Sequence, residues 1–142
     1  MNINPLVPEL YVADFDRSLA FYRDMLDFQI MYMRAEERFA FLEREGAQLM
    51  IEQSTDPARI WAAAELAHPY GRGINLQIRV RNVDALHQSL AAASISFFVA
   101  LEDKWYRRDE ELVGNRQFVI QDPDGYLLRF YGDLGARPVM RA

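Results

Sequence analysis

VPELYVADFDRSLAFYRDMLDF, from Val7 to Phe28, is the stretch from which the fold is read. Val7, Glu9 and Tyr11 alternate with Leu6, Pro8, Leu10 and Val12, the period-two pattern of a strand, and its prolines confine the start to a sheet edge. Asp14 offers an N-cap. Phe15, Leu19, Tyr22 and Leu26 then fall on one helical stripe, with Arg17, Arg23 and Asp24 away from it. Downstream, Phe28–Met33 reads as a second strand. Phe39–Leu42 and Ala47–Glu52 read as a hairpin around Glu45-Gly46. The order is β-α-β-β-β.

The segment 54–73 breaks the pattern. It holds Asp56-Pro57, an alanine-rich stretch around Ile60, Trp61 and Leu66, and then His68-Pro69-Tyr70-Gly71, which together predict a linker with a short helix. The first order then restarts. Ile74–Val80 is a strand, Asn82 an N-cap, Val83, Leu86 and Leu90 a helical stripe, and Ile95–Leu101 a strand. Asn115–Gln121 and Tyr126–Tyr131 flank the turn Asp122-Pro123-Asp124-Gly125. One constant shift brings Val12 onto Val80, Asp14 onto Asn82 and Asp16 onto Asp84. A second brings Phe39 onto Phe118, Gly46 onto Gly125 and Leu49 onto Leu128. These coincidences at strands, caps and turns predict a duplication. The expected class is α+β, two tandem βαβββ modules forming a curved mixed-sheet cleft, with modules at 1–53 and 74–132, a linker at 54–73 and a tail at 133–142. One half alone exposes too much apolar surface, so halves must pair within or between chains.

The 142 residues are 51% apolar and 26% charged, which fits a globular domain and argues against disorder. The absence of cysteine excludes disulfides, zinc–thiolate sites and cysteine nucleophiles. Only His68 and His87 are present, so a metal would depend on carboxylates or amides. A net charge of −5 speaks against a nucleic-acid partner. No apolar run is long enough to span a bilayer and no basic segment leads into an apolar one near Met1, so a cytoplasmic protein without a membrane partner is expected. No glycine-rich phosphate loop or nucleophile elbow is found.

Three segments carry a resemblance: Val7 to Phe28, FAFLEREGAQLMIE (Phe39 to Glu52) and GNRQFVIQDPDGYLLRF (Gly114 to Phe130). They resemble the vicinal oxygen chelate superfamily, which includes glyoxalase I, extradiol dioxygenases and the bleomycin resistance proteins. Enzymes of that superfamily hold a divalent metal with one residue from each of four strands. Carried onto this chain, those positions hold Val7, Glu52 (or Met50 by the repeat register), Asn75 and Arg129. Valine cannot coordinate and a guanidinium repels a dication, so the resemblance implies neither a metal nor another cofactor. The enzymatic alternative, glyoxalase- or dioxygenase-type, would need a displaced site around Glu9 and Glu52.

The resemblance then points to the bleomycin-resistance-like branch, whose members bind a drug without chemistry. It implies a homodimer with a ligand groove at the interface and a first strand exchanged between subunits. Pro5 and Pro8 would be its hinge, or would only blunt an edge. A bulky aromatic or cationic ligand calls for aromatic faces and a negative field. The ligand-binding residues expected are Phe39, Phe41, Glu52, Trp61, Asn75, Trp105, Tyr106 and Arg129, with no catalytic residue. Of Phe39 and Phe41, one is expected to face the core and the other the cleft. Trp105-Tyr106 is expected in the loop before the seventh strand.

Overall fold

The computed structural model describes residues 1–140, and within them the β-α-β-β-β order occurs twice. The chain divides into two units, residues 1–72 with 122–126, and residues 73–121 with the remainder from Leu127.

In the first unit, β1 (Glu9–Tyr11), β2 (Gln29–Arg34), β3 (Phe39–Arg44) and β4 (Ala47–Glu52) form a sheet of order β1-β4-β3-β2. β1 runs parallel to β4, and the other pairs are antiparallel. The strand expected over Leu6–Val12 shortens to three residues, because Pro5 and Pro8 lack the N–H that continued pairing needs. Helix α1 (Phe15–Ala20) is capped as expected: the Asp14 carboxylate accepts from the Arg17 amide at 3.2 Å. It continues into a π-helical turn, Phe21–Met25, that completes the buried stripe of Phe15, Leu19, Tyr22 and Leu26. This stripe covers the sheet face made by Leu10, Ala40, Leu42, Leu49 and Ile51, all buried. Each leucine or isoleucine among them contributes on the order of 2 kcal/mol by leaving water. The β3–β4 turn places Glu45 and Gly46 both at positive φ, 49° and 88°, which is the backbone twist a two-residue hairpin favours.

Segment 122–126 belongs to this unit through its polar groups. The hydroxyl of Tyr22, itself without solvent exposure, donates to Asp122 Oδ2 at 2.7 Å. Asp124 Oδ1 accepts from the Ala13 amide at 3.1 Å, and the Tyr126 hydroxyl donates to the Tyr11 carbonyl at 2.9 Å. Burial pushes the Tyr22 hydroxyl and the Asp122 carboxyl both upward, so the tyrosine stays protonated and donates.

In the second unit, β5 (Asn75–Arg79), β6 (Phe97–Arg108), β7 (Glu111–Gln121) and β8 (Leu127–Pro138) repeat the arrangement in the order β5-β8-β7-β6, with β5 parallel to β8. Helix α2 (Val83–Ala92) is capped by Asn82, which accepts from the Ala85 amide at 3.0 Å. Its Val83, Leu86 and Leu90 are buried, as are Ile78, Phe118, Ile120, Leu128 and Phe130 on the sheet.

Three expectations change. The linker holds one short 3-10 turn, Pro57–Arg59, and the alanine-rich stretch after Trp61 is not helical. It is too short to nucleate and has no cap of its own. Trp105 and Tyr106 lie not in a loop but inside β6, which pairs with β7 along its length out to Arg108. The tail expected at 133–142 is strand up to Pro138, and its residues 141–142 lie outside the described residues.

Candidate functional site

The register of the first sheet decides which side chains share the face opposite α1. Glu9 lies opposite Met50 and Tyr11 opposite Glu52. Phe39 also lies opposite Glu52, and Phe41 opposite Met50. Tyr32 and Arg34 complete the rows, opposite Phe41 and Phe39. Phe39 and Phe41 are two apart, so strand alternation puts them on the same face, contrary to the expectation that one turns to the core. Both are buried there. The Tyr32 ring stacks on Phe41 at 5.2 Å and lies 5.8 Å from Phe39. It is Ala40, between them, and Leu42, after them, that face α1.

A cavity of about 770 Å³ opens over this face. Its aromatic wall is Tyr11, Tyr32, Phe39 and Trp61, and its floor carries Glu9 and Glu52. The linker closes one side through a single hydroxyl: Tyr11 Oη accepts from the Trp61 amide at 2.9 Å and donates to the Arg59 carbonyl at 3.2 Å. Trp61 itself is 74% exposed, so its indole face is free for another flat group.

The electrostatics centre on the carboxyl pair. Burial, then the hydrogen bond that protonated Glu9 donates to Glu52 and the repulsion of the Glu52 charge, lift Glu9 from 4.5 to about 7, against a lowering pull from Arg34. Near neutrality Glu9 is therefore partly protonated. Five carboxylates line the cavity against three guanidiniums. Of those, Arg34 is paired with Glu37 at 2.7 Å and lies over the Phe39 ring at 4.0 Å, and Arg59 lies 5.4 Å from the Trp61 ring. The field is negative and the walls are π faces, a combination that favours an aromatic cation.

Of the residues expected to bind a ligand, Phe39, Glu52 and Trp61 thus line one cavity, with Phe41 on the same face. The other four lie in the second unit. Tyr106 and Arg129 line a separate cavity of about 540 Å³. Trp105 is placed opposite Gly114 with the Arg137 guanidinium 3.9 Å from its ring. Asn75 is exposed and opposite Leu127, and it is Gln77 that opposes Arg129. Tyr11, Tyr32 and Arg34 were not singled out in the sequence. The signal was present in the pairing of β1 and β2 about the Phe39–Glu52 hairpin.

The donor set does not fit a catalytic divalent metal. In the first unit Glu9 and Glu52 supply two carboxyls and the Val7 side chain offers no donor atom, and in the second Arg129 is cationic. Among the described residues no group of three or more His, Asp or Glu side chains is placed to hold a metal ion. Among them also no helix is long and apolar enough to cross a membrane.

Residues 2–130 match the family described as the Glyoxalase/Bleomycin resistance protein/Dioxygenase superfamily. A bleomycin resistance protein of Geobacillus stearothermophilus is 27% identical over 134 residues, covering 88% of this chain and 93% of the relative. A solved structure of a protein of unknown function from Agrobacterium tumefaciens str. C58 superposes with a TM-score of 0.68 at 27% identity, over 94% of this chain and 97% of that one. TioX from Micromonospora sp. ML1 superposes at 0.70 and 21% identity, over 92% and 100%, and shows the shared fold.

Proposed function

This chain belongs to the Glyoxalase/Bleomycin resistance protein/Dioxygenase superfamily, and on that premise we propose that it is a metal-free, non-catalytic binder that sequesters a bulky aromatic cation. The observation that carries this reading is the first-unit cavity, which the carboxyls of Glu9 and Glu52 line together with the rings of Tyr32, Phe39 and Trp61. A cation entering it gains the carboxylate charge and stacks on Trp61. The reading includes a homodimer that places the ligand groove at its interface. Support for self-association comes from apolar side chains left in water, Ile3 and Leu6 in the first unit and Ile74 and Phe98 in the second. The likeness to bleomycin resistance proteins makes bleomycin the first drug to try.

The test is a titration of the purified chain with bleomycin, followed by tryptophan fluorescence and by native mass spectrometry. Saturable quenching with one drug per subunit of a dimer supports the reading. No binding of bleomycin or of a simpler aromatic cation such as ethidium, or tight uptake of one Mn or Ni per subunit, overturns it.

A further inference from the structure

We propose that the second unit carries its own ligand site, for a small hydroxycarboxylate, in the cavity over β5, β7 and β8. This goes beyond the drug-binding reading and rests on residues of the second unit, none of which lines the first-unit cavity.

The parallel pairing of β5 with β8 sets Gln77 opposite Arg129 and Arg79 opposite Tyr131, and β7 sets Gln117 opposite Tyr131. The cavity these strands floor, about 540 Å³, is lined by the three guanidiniums of Arg79, Arg108 and Arg129 against one carboxylate, Asp133. Arg108 is neutralised by a short ion pair with Glu111. Arg79 and Arg129 are then left against Asp133, a net positive charge. The sign is opposite to that of the first-unit cavity.

Two buried polar atoms on this face have no hydrogen-bond partner: the Nε of Arg129, which lines the cavity, and the Oε1 of Gln117, which lies behind its lining residues Tyr106 and Tyr131. Gln117 is only 4% exposed. Its amide nitrogen is already committed, donating to the Tyr106 hydroxyl at 2.8 Å and to Glu102 at 3.3 Å, which fixes the carbonyl as the free end. Buried polar groups are rarely left unpaired, and an orphaned guanidinium N–H with an orphaned carbonyl one diagonal step away across the β7–β8 pair asks for complementary chemistry. A carboxylate accepts from the guanidinium fork in two parallel bonds. A hydroxyl next to that carboxylate donates to Gln117. Tyr106, Tyr131 and Val113 supply flat and apolar walls for the carbon skeleton.

The experiment titrates the full-length chain with mandelate and with phenylacetate, which differ by that hydroxyl alone. The Arg129 Nε–H resonance, assigned by its loss in Arg129→Lys, reports the contact directly. Mandelate is expected to bind saturably, with a dissociation constant on the order of 1 mM or tighter, and to shift that resonance. Phenylacetate, and mandelate on Arg129→Lys, are each expected about tenfold weaker. Arg79→Gln, at an exposed position that tolerates the change, is expected to weaken mandelate as well. Equal binding of the two acids, mandelate binding indifferent to both variants, or no binding of mandelate overturns the proposal. The drug titration reads the first-unit cavity through Trp61, so failure of one result leaves the other standing.

Discussion

Replacing Glu52 with glutamine removes one of the causes that hold Glu9 at about 7. Burial is the largest of them, and the hydrogen bond and charge of Glu52 follow. Glu52→Gln should therefore bring Glu9 part of the way back toward 4.5, because the burial remains. The sign for stability follows from the direction. A carboxyl raised in the folded state above its value of 4.5 favours folding when protonated. Its contribution is complete below 4.5 and is lost as pH rises through about 7. At about 1.36 kcal/mol per pH unit the rise would amount to about 3 kcal/mol for a group out of water. Glu9 is largely exposed, so solvent screening reduces this to about 1 kcal/mol. The assay is a carbon-13 NMR titration of the glutamate carboxyls, with urea unfolding at about pH 5 and about pH 8 on either side of the transition. Wild-type Glu9 titrating at its ordinary 4.5, or Glu52→Gln leaving it at about 7, would refute the coupling.

Tyr22→Phe removes the donor to Asp122 and leaves a buried carboxyl short of a partner, which should cost about 1–3 kcal/mol in urea unfolding. Gly125→Ala places a Cβ 2.5 Å from that of Pro69 at a φ of +96°, and a loss of about 1–3 kcal/mol is expected by the same measurement. Trp61→Ala should weaken ethidium about tenfold by equilibrium dialysis, whereas Trp105→Ala, outside the first-unit cavity, should leave it unchanged.

Local chemistry carried much of the fold into the sequence. The Asp14 and Asn82 caps, the helical stripes and the turn at Glu45-Gly46 each depend on neighbours within a few residues, and each is found where the pattern puts it. Where strands end was less legible. β6 and β8 run out to Arg108 and Pro138 because each gains pairing from β7, and a stretch such as Glu102–Arg108, polar on both faces, gives no alternation to read. The site divides along the same line. Phe39, Glu52 and Trp61 stand out by type and position. Glu9 was already paired with Glu52 in the alternative reading, whereas Tyr11, Tyr32 and Arg34 join them only through cross-strand register, which is a long-range property. The register also separates Gln77 from Asn75 as the neighbour of Arg129.

The first unit is not a continuous piece of chain, since its set of hydrogen bonds is completed by residues 122–126. On a ribosome adding about 5–20 residues per second, the ~50 residues between 72 and 122 take about 3–10 s to arrive. Through that interval the nascent first sheet and its helix hold Tyr22 without its acceptor. A gene fragment ending at the linker would encode that same waiting state permanently. Halves of this protein separated at residue 72 should therefore regain their full stability only when the second supplies Asp122 to Tyr126 in trans.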